Sequence, residues 1–372
     1  MPFLEMFRLF SHLYSSQSLL NKFIINAAIG RRCYSSSPCH YGICIDIDGV
    51  LIKGKTVVPE AKSALQFLSG ENKLKKKIPF VLLTNGGGMT EIKKAEEFSE
   101  IIGVQINPSQ LTLAHSPMRQ LVPKFKDSEI LVIGGMGDNC RIVANSYGFN
   151  RVVLPNDVLA WKPSIWPFTK LREDDLKLTR KLDFSNVKIE AVMVFHDSHD
   201  WGRDLQIISD ILQSKDGYFE TLASHEELSV QNIPLFFSNP DVIWSNDCFT
   251  PRMAQGSFRL SLEHLYKQIT GLQIKYTLFG KPEPVTYKFA LKLLEDHAFE
   301  TTGLRLPNRK IYAVGDNPAS DIAGANAHGW TSILVRTGLF KGEGNHHLHP
   351  ANHVTDNILQ AVEWMFHQEE KV

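Results

Sequence analysis

Asp46 and Asp48 stand two residues apart, directly after the apolar run at residues 43–45 and just before Gly49. The run predicts a buried strand, so both carboxylates would lie where that strand leaves its sheet. Carboxylates so placed can supply a nucleophile and a proton donor around one Mg²⁺, because that ion prefers oxygen ligands. The pair also fits an ordinary acid–glycine turn, so the chemistry depends on what the rest of the chain brings beside it.

Three later segments carry residue types that suit the same chemistry. They are a hydroxyl residue ending a predicted strand, an ammonium just before a predicted helix, and two acids after a further predicted strand. In chain order these residues are Thr84, Lys281, Asp316 and Asp321. Ligands bind at the carboxyl ends of the strands in an open parallel sheet, so we expect the strand-end residues to converge on one crevice.

The four segments, at residues 43–50, 79–85, 280–282 and 311–317, occur in the order of the four motifs of the haloacid dehalogenase (HAD) superfamily, and they resemble those motifs. The resemblance implies an α/β fold whose core is a doubly wound, Rossmann-like parallel sheet. It also implies a Mg²⁺-dependent phosphatase that works through an aspartyl-phosphate.

The hydrophobic patterns alternate between strand-like and helix-like segments, which is typical of an α/β protein. The clearest helical segments are 90–102 and 285–297. The predicted strands are 42–46, 79–84, 129–134, 189–196, 233–238, 310–315 and 332–336.

The spacing of the motifs predicts a second domain. Asp46 and Thr84 are 38 positions apart, which suits one helical crossover, whereas Thr84 and Lys281 are 197 positions apart. The excess is about one domain of chain. We therefore expect a HAD core at 41–112 and 276–372, interrupted by an inserted α/β cap at 113–275. A cap there resembles the C2 cap of class IIA, and the chain is similar to the cat-eye-syndrome-region group of mitochondrial HAD-like hydrolases.

The resemblance assigns the catalytic roles. Asp46 would attack phosphorus, and Asp48 would protonate the leaving oxygen and then deprotonate water. Thr84 would hold a phosphate oxygen through its hydroxyl, and Lys281 would supply a fixed positive charge beside the nucleophile. An acid at Asp48 argues against dehalogenase chemistry, which needs no proton donor there.

The remaining predicted site residues hold the metal or the substrate. The predicted Mg²⁺ ligands are Asp46, Asp48 through its main-chain carbonyl, and Asp316, with Asp321 orienting the site. The predicted substrate-binding residues are Asn85 and Gly86 in the core and Asn239 and Asp241 in the cap. Structural roles, such as turns for the glycines and hydrogen bonding for Asn239, are the alternatives at single positions.

Residues 1–40 have the composition of a mitochondrial transit peptide. The segment is serine-rich and carries Arg8, Lys22, Arg31 and Arg32 against the single acid Glu5. This composition predicts a mature protein in the mitochondrial matrix that begins near Ser35. A disordered N-terminal tail is the alternative.

The overall composition excludes several function classes. The formal net charge is zero, so neither nucleic acid nor an anionic membrane surface is expected as a partner. The five cysteines are scattered, so we expect reduced thiols. Apolar runs are too short to predict a transmembrane segment. The histidine-bearing segments 196–200 and 346–349 are predicted to be loops, because no second ligand cluster completes either one as a metal site.

Together these observations predict a phosphomonoester hydrolase for a small phosphorylated metabolite, with Mg²⁺ as cofactor and a homodimer through the cap as a further expectation. Two alternatives stay open. One is a lipid-phosphate phosphatase of mitochondrial glycerophospholipid synthesis, and the other is a HAD-derived protein that binds without turnover. A response-regulator receiver is excluded, because it is shorter and has no inserted cap.

Overall fold

The computed structural model describes residues 39–246, 248–303 and 310–371. Its strands are β1 (Tyr41–Ile45), β2 (Ile52–Lys53), β3 (Thr56–Val57), β4 (Phe80–Leu83), β5 (Leu111–Thr112), β6 (Glu129–Ile133), β7 (Arg151–Val153), β8 (Ala191–Val194), β9 (Leu235–Phe237), β10 (Ile243–Trp244), β11 (Arg252–Met253), β12 (Thr277–Leu278), β13 (Lys310–Gly315), β14 (Thr331–Val335) and β15 (His353–Thr355).

The α-helices of the described residues are α1 (Ala61–Leu68), α2 (Glu91–Ile102), α3 (Val122–Phe125), α4 (Asn139–Tyr147), α5 (Pro155–Trp161), α6 (Glu173–Lys177), α7 (Trp201–Gln213), α8 (His225–Val230), α9 (Gln255–Thr270), α10 (Pro284–Thr302), α11 (Ala323–Ala327) and α12 (Ile358–Glu370). Both clear helix predictions are confirmed, within a few residues at their ends. No helix within the described ranges combines the length and the apolarity needed to cross a membrane.

The first sheet is a six-stranded parallel sheet in the order β15-β14-β13-β1-β4-β5. Successive residues of β1 face opposite sides, as the period of a strand requires. Ile43 and Ile45 pack into one apolar cluster with α1 and α12, whereas Cys44 packs into another with α10. Because both faces are covered, β1 is buried along its whole length and reads as a continuous apolar run.

The second sheet is a five-stranded parallel sheet in the order β12-β9-β8-β6-β7. It is formed by the chain between β5 and α10, where the 197-position gap predicted an inserted cap. Its last strand, Thr277–Leu278, pairs with β9 and lies just past the predicted boundary at 275. Strands β10 and β11 form a separate antiparallel hairpin after β9. We call the two sheets with their helices the core and the cap.

The predicted α/β fold with a parallel core sheet is confirmed. The two loop predictions at 196–200 and 346–349 also agree with the structure, since neither segment contains helix or strand residues. The first segment leads directly into α7. The predicted transit peptide and its cleavage site lie outside the described residues, apart from residues 39 and 40.

Candidate active site

Three acids gather at the carboxyl end of the core sheet. Asp46 follows β1, and Asp316 follows the neighbouring strand β13, so the parallel pairing of these strands brings the two carboxylates together. Asp321 reaches the same place from the turn after β13. The three are 2–6% exposed, and their carboxylate oxygens lie within 4.8 Å of one another. A cluster of buried hard oxygen donors is the ligand set that Mg²⁺ prefers.

Lys281 is the cation beside these acids. Its ammonium forms ion pairs with Asp46 and, at 2.7 Å, with Asp321, and donates to the Leu83 carbonyl oxygen at 3.0 Å. The side chain is 4% exposed. Burial by itself lowers the pKa of Lys281, but the two carboxylates outweigh it and raise that pKa well above its ordinary value. Lys281 is therefore a fixed positive charge next to the predicted nucleophile.

One ammonium does not balance three buried acids. Burial raises the pKa of Asp46 well above its usual range, with Lys281 opposing the shift and the neighbouring acids adding to it. Burial, followed by the charge of Asp321, raises the pKa of Asp316 to about 7. A divalent cation among these oxygens would relieve the repulsion, so the residues fit a bound Mg²⁺.

Asp48 lies apart from this acid cluster. Its Oδ2 accepts a 2.9 Å hydrogen bond from the Thr84 hydroxyl, whose oxygen in turn accepts from the Gly86 amide at 2.8 Å. A side chain at Gly86 would press on both, because its Cβ would lie 3.2 Å from Thr84 Oγ1 and 3.3 Å from Asp48 Oδ2. The loop after β4 thus holds the Asp48 carboxyl group outside the acid cluster, an arrangement that suits the predicted proton donor.

Two glycines enclose Asp316. Gly49 has φ +96°, and a Cβ there would lie 2.3 Å from Asp316 Oδ2. A Cβ on Gly338 would lie even closer, at 1.8 Å from the same oxygen. Any side chain at either position would displace the carboxylate, so the glycine after Asp48 is required by the site as well as by its turn.

Asn85 joins the core to the cap. Its side chain donates to the Lys281 carbonyl oxygen at 3.0 Å and accepts from the Lys281 amide at 2.7 Å. It also donates to Asp241 Oδ2 at 2.8 Å. Burial raises the pKa of Asp241 to about 6, although the Asn85 bond opposes the shift. Asp241, predicted as a cap residue that binds substrate, therefore reaches the loop that follows β4.

Asn239 is occupied by hydrogen bonds inside the cap. Its Oδ1 accepts from the Asp241 amide at 2.8 Å, and its own amide donates to Gln255 Oε1 at 3.0 Å. It is 6% exposed. These bonds shape the loop that carries Asp241, so a direct contact between Asn239 and substrate stays a prediction.

Sequence reasoning did not assign the cap loop at His196 and Asp197 to the site, yet the structure places it there. A Cβ on Gly88 would lie 2.5 Å from the His196 ring, so this loop rests on the loop after β4. Burial lowers the pKa of His196 to about 4 and raises that of Asp197 to about 6. The cap therefore presents a neutral imidazole and a carboxyl group beside the loop after β4. The only available signal was the position of the loop after a predicted strand.

His115 was missed entirely. It is fully buried between the core and the cap and accepts a 3.2 Å hydrogen bond from the Gly88 amide through Nε2. A lone histidine in the segment between two strands carries no pattern, so nothing in the sequence could have found it.

Comparison with known proteins agrees with this geometry. A family model described as haloacid dehalogenase-like hydrolase matches residues 43–150, and a HAD-hydrolase-like model matches residues 278–361. A mitochondrial hydrolase of Saccharomyces cerevisiae is 36% identical over 358 residues, covering 90% of this chain and 99% of that protein. The chain belongs to the haloacid dehalogenase-like hydrolases. The predicted HAD-superfamily membership is thus confirmed.

A second relative and a solved structure extend the comparison. A cardiolipin synthase (CMP-forming)/mitochondrial hydrolase fusion protein of Schizosaccharomyces pombe is 40% identical over 320 residues, covering 86% of this chain and 51% of that protein. The chain therefore spans about half the length of that relative. A p-nitrophenyl phosphatase from Archaeoglobus fulgidus shares the fold, with a TM-score of 0.57 and 18% identity over 88% of this chain and 100% of that one. The names of both yeast relatives support a mitochondrial location.

Proposed function

We propose that this HAD-like hydrolase is a Mg²⁺-dependent phosphomonoester hydrolase acting through an aspartyl-phosphate on Asp46. The observation that carries the proposal is the buried cluster of Asp46, Asp316 and Asp321 against Lys281, with Asp48 held separately by Thr84. The cluster offers one nucleophilic carboxylate, and the Asp48–Thr84 pair offers one proton donor beside a hydroxyl that can hold phosphate.

Each residue has one task in this mechanism. The Asp46 carboxylate attacks phosphorus, while Lys281 keeps that carboxylate in place and draws charge from a phosphoryl oxygen. Asp48 gives its proton to the leaving oxygen and then takes one from the attacking water. Asp46, Asp316 and the Asp48 carbonyl would hold Mg²⁺, whose chemistry here is to neutralise charge on the phosphoryl oxygens. Asp321 would orient this group through its bond to Lys281.

The substrate we propose is a small phosphorylated metabolite. The acids are almost completely buried, and cap residues Asp241 and His196 contact the loop that would hold the phosphate. A site covered in this way excludes bulk water, which protects an acyl phosphate from uncontrolled hydrolysis. Such enclosure favours a compact ester over a large one.

A lipid phosphate is the second candidate, and one observation favours it. The Schizosaccharomyces pombe relative carries a cardiolipin synthase and a hydrolase on one chain. A fusion of this kind places the two activities side by side, so the hydrolase would act on a glycerophospholipid phosphate. A protein that binds phosphate without turnover is disfavoured, because the nucleophile, the proton donor and the lysine are all present, and Lys281 contacts Asp46.

The deciding experiment is a phosphate-release screen of protein beginning at Ser35. The panel would contain p-nitrophenyl phosphate, soluble phosphometabolites and phosphatidylglycerophosphate in mixed micelles, each with Mg²⁺ and with excess EDTA. We expect release that depends on Mg²⁺ and is fastest with a soluble ester. Activity in EDTA would contradict the metal-dependent mechanism, and fastest release from the lipid would select the second candidate.

We further propose that the protein lies in the mitochondrial matrix and dimerises through its cap. The arginine-bearing leader supports the first point. N-terminal sequencing of protein from fractionated mitochondria tests it, with a start near Ser35 as the expected result. Light scattering of the purified protein, repeated with substitutions on the exposed cap surface, tests the second point.

A further inference from the structure

The loop at residues 84–88 is bonded to both chain segments that join the core to the cap. In the segment after β5, the Ala114 amide donates to the Gly86 carbonyl oxygen at 2.9 Å, and His115 Nε2 accepts from the Gly88 amide at 3.2 Å. In the segment before α10, Lys281 exchanges two hydrogen bonds with the Asn85 side chain, as described above. The loop therefore lies between two anchors.

These bonds leave two amides of the loop available. The Gly86 amide is bonded to the Thr84 hydroxyl, and the Gly88 amide is bonded to His115. Within the described residues, the amides of Asn85 and Gly87 have no such partner. Backbone amides that lie close together in one loop can bind an anion, and their direction depends on the residues that flank them. The Ala114 bond to the Gly86 carbonyl oxygen holds the peptide plane that carries the Gly87 amide, and the Gly88 bond to His115 holds the next plane. Together the two bonds set the direction of the Gly87 amide.

His115 fits closely against this loop. A Cβ on Gly87 would lie 2.7 Å from His115 Cδ2, so only glycine permits the approach. On its other face the imidazole stacks on Phe195 of the cap, with ring centroids 5.7 Å apart and an interplanar angle of 16°. The ring is fully buried and cannot turn to another partner without opening the contact between core and cap.

The hydrogen bonds define the protonation of His115. Because Nε2 accepts from Gly88, the proton must be on Nδ1, which donates to the Tyr147 hydroxyl at 2.7 Å. Tyr147, on cap helix α4, donates to Glu91 Oε1 at 2.6 Å. Glu91 also accepts from Ser116 at 2.5 Å and pairs with Arg119 at 2.8 Å. Burial, in agreement with this order, lowers the pKa of His115 to about 4 and keeps the ring neutral.

We propose that His115 is a positioning residue for phosphate binding, which fixes the Gly88 amide and so aims the neighbouring amides at the phosphoryl oxygens. Tyr147 extends this restraint to the cap, so the loop is ordered when the cap is in place. The inference rests on the proposed phosphatase function. The alternative is that His115 only fills space between the core and the cap. The two roles predict different results for a substitution that keeps the ring shape but removes the acceptor of the Gly88 amide.

Two substitutions separate shape from hydrogen bonding. His115→Phe keeps an aromatic ring against Phe195 but leaves the Gly88 amide without an acceptor, whereas His115→Gln keeps an acceptor on a smaller side chain. His297→Phe is the matched control, because His297 is a partly buried histidine of α10 that packs against Phe80 and bonds Gln110. Tyr147→Phe removes the acceptor of the Nδ1 proton and tests the link to the cap.

Three readouts would be compared across the variants: the inhibition constant of orthovanadate, the turnover of p-nitrophenyl phosphate with its KM, and hydrogen–deuterium exchange of the peptide covering residues 84–90. We expect His115→Phe to weaken orthovanadate binding by roughly 10-fold or more, because the donors that meet an oxyanion must be pre-aimed. Exchange at 84–90 should become faster, while the melting temperature falls no further than in His297→Phe. His115→Gln should recover part of the loss, and Tyr147→Phe should show a smaller loss.

Orthovanadate affinity and loop exchange that match the control in His115→Phe would overturn the proposal. So would a loss that only follows the fall in melting temperature. A wild-type protein that neither hydrolyses phosphate esters nor binds orthovanadate would instead contradict the proposed function. The exchange of residues 84–90 would then still decide whether His115 holds the loop, since that readout needs no activity.

Discussion

The core and the cap are both parallel sheets covered by helices, but the polar side chains at their carboxyl edges differ. At the core edge, the acids after β1 and β13 lie together in excess of the one ammonium beside them. At the cap edge, the Ser238 hydroxyl donates to the Phe195 carbonyl oxygen at 2.9 Å, and Gln255 bonds both Ser238 and the Asn239 amide. Ser238, Asn239 and Gln255 are hydrogen-bonded within the cap edge, which reaches the core through Asp241, whereas the core edge has unbalanced charge.

The buried polar groups have different roles at the two edges. Buried polar groups that satisfy one another hold a loop in shape, whereas like charges held together in the interior need a ligand. The unbalanced charge at the core edge supports the proposed metal site, and the hydrogen bonds at the cap edge hold its loops in shape. Substitutions at the core edge should affect turnover, and those at the cap edge should affect the preference among substrates.

The largest effect is expected from Asp46→Asn. The amide keeps the shape but removes the nucleophilic charge and a metal ligand, so turnover of p-nitrophenyl phosphate should fall by several orders of magnitude. Asp210→Asn is a matched control, because Asp210 is a partly buried acid on cap helix α7 that bonds Gln206. Activity of Asp46→Asn close to that of the control would contradict a nucleophilic role for Asp46.

Asp48→Asn should reduce turnover by roughly 10²–10⁴-fold, the usual contribution of general acid–base catalysis. Binding of beryllofluoride should stay near that of the wild type, because the Asp48 side chain lies outside the acid cluster and its carbonyl is kept. Calorimetry with Mg²⁺ and beryllofluoride measures the second quantity. A joint loss of binding and turnover would instead assign Asp48 a structural role.

A smaller and more selective effect is expected at the cap. Asp241→Ala and Asn239→Ala should change the order of preference among phosphometabolites more than they change hydrolysis of p-nitrophenyl phosphate, which needs mainly the core. The Asp241 variant should have the larger effect, because Asp241 contacts Asn85 directly and Asn239 acts through it. Equal losses on every substrate would show that the cap edge is part of the reacting machinery.

The smallest effect is a pH dependence of stability. The folded pKa of Asp241 is raised to about 6, so the folded state binds a proton more tightly than the unfolded state does. Its contribution to the free energy of unfolding therefore decreases as pH rises from about 4 to about 6. Asp241→Asn should reduce this decrease by about 1–2 kcal/mol. This value is smaller than the full effect of the pKa shift, because the residue is partly exposed to solvent. Urea unfolding at pH 4.5 and 7.5 measures the difference.

The fold class could be predicted from the sequence alone, and the sequence also predicted a core–cap division of the chain and a group of reactive side chains at the core edge. Apolar runs such as the one before Asp46 predict strands locally, and the pairing rules of parallel sheets place the strand ends together. Lys281 shows how far this extends. It is 197 positions from Thr84, yet its motif predicted a place beside the acids, and its ammonium contacts Asp46.

The residues that hold the loop at 84–88 could be identified only from the tertiary structure. The Asn85–Asp241 bond and the chain of contacts from Gly88 through His115 to Tyr147 join side chains whose positions share no period or motif. Such bonds depend on how the cap is seated on the core, where a difference of about 1 Å makes or breaks a hydrogen bond. Local patterns fix which elements form and which way each faces, but they carry no information on the distance between two side chains that meet across a domain boundary.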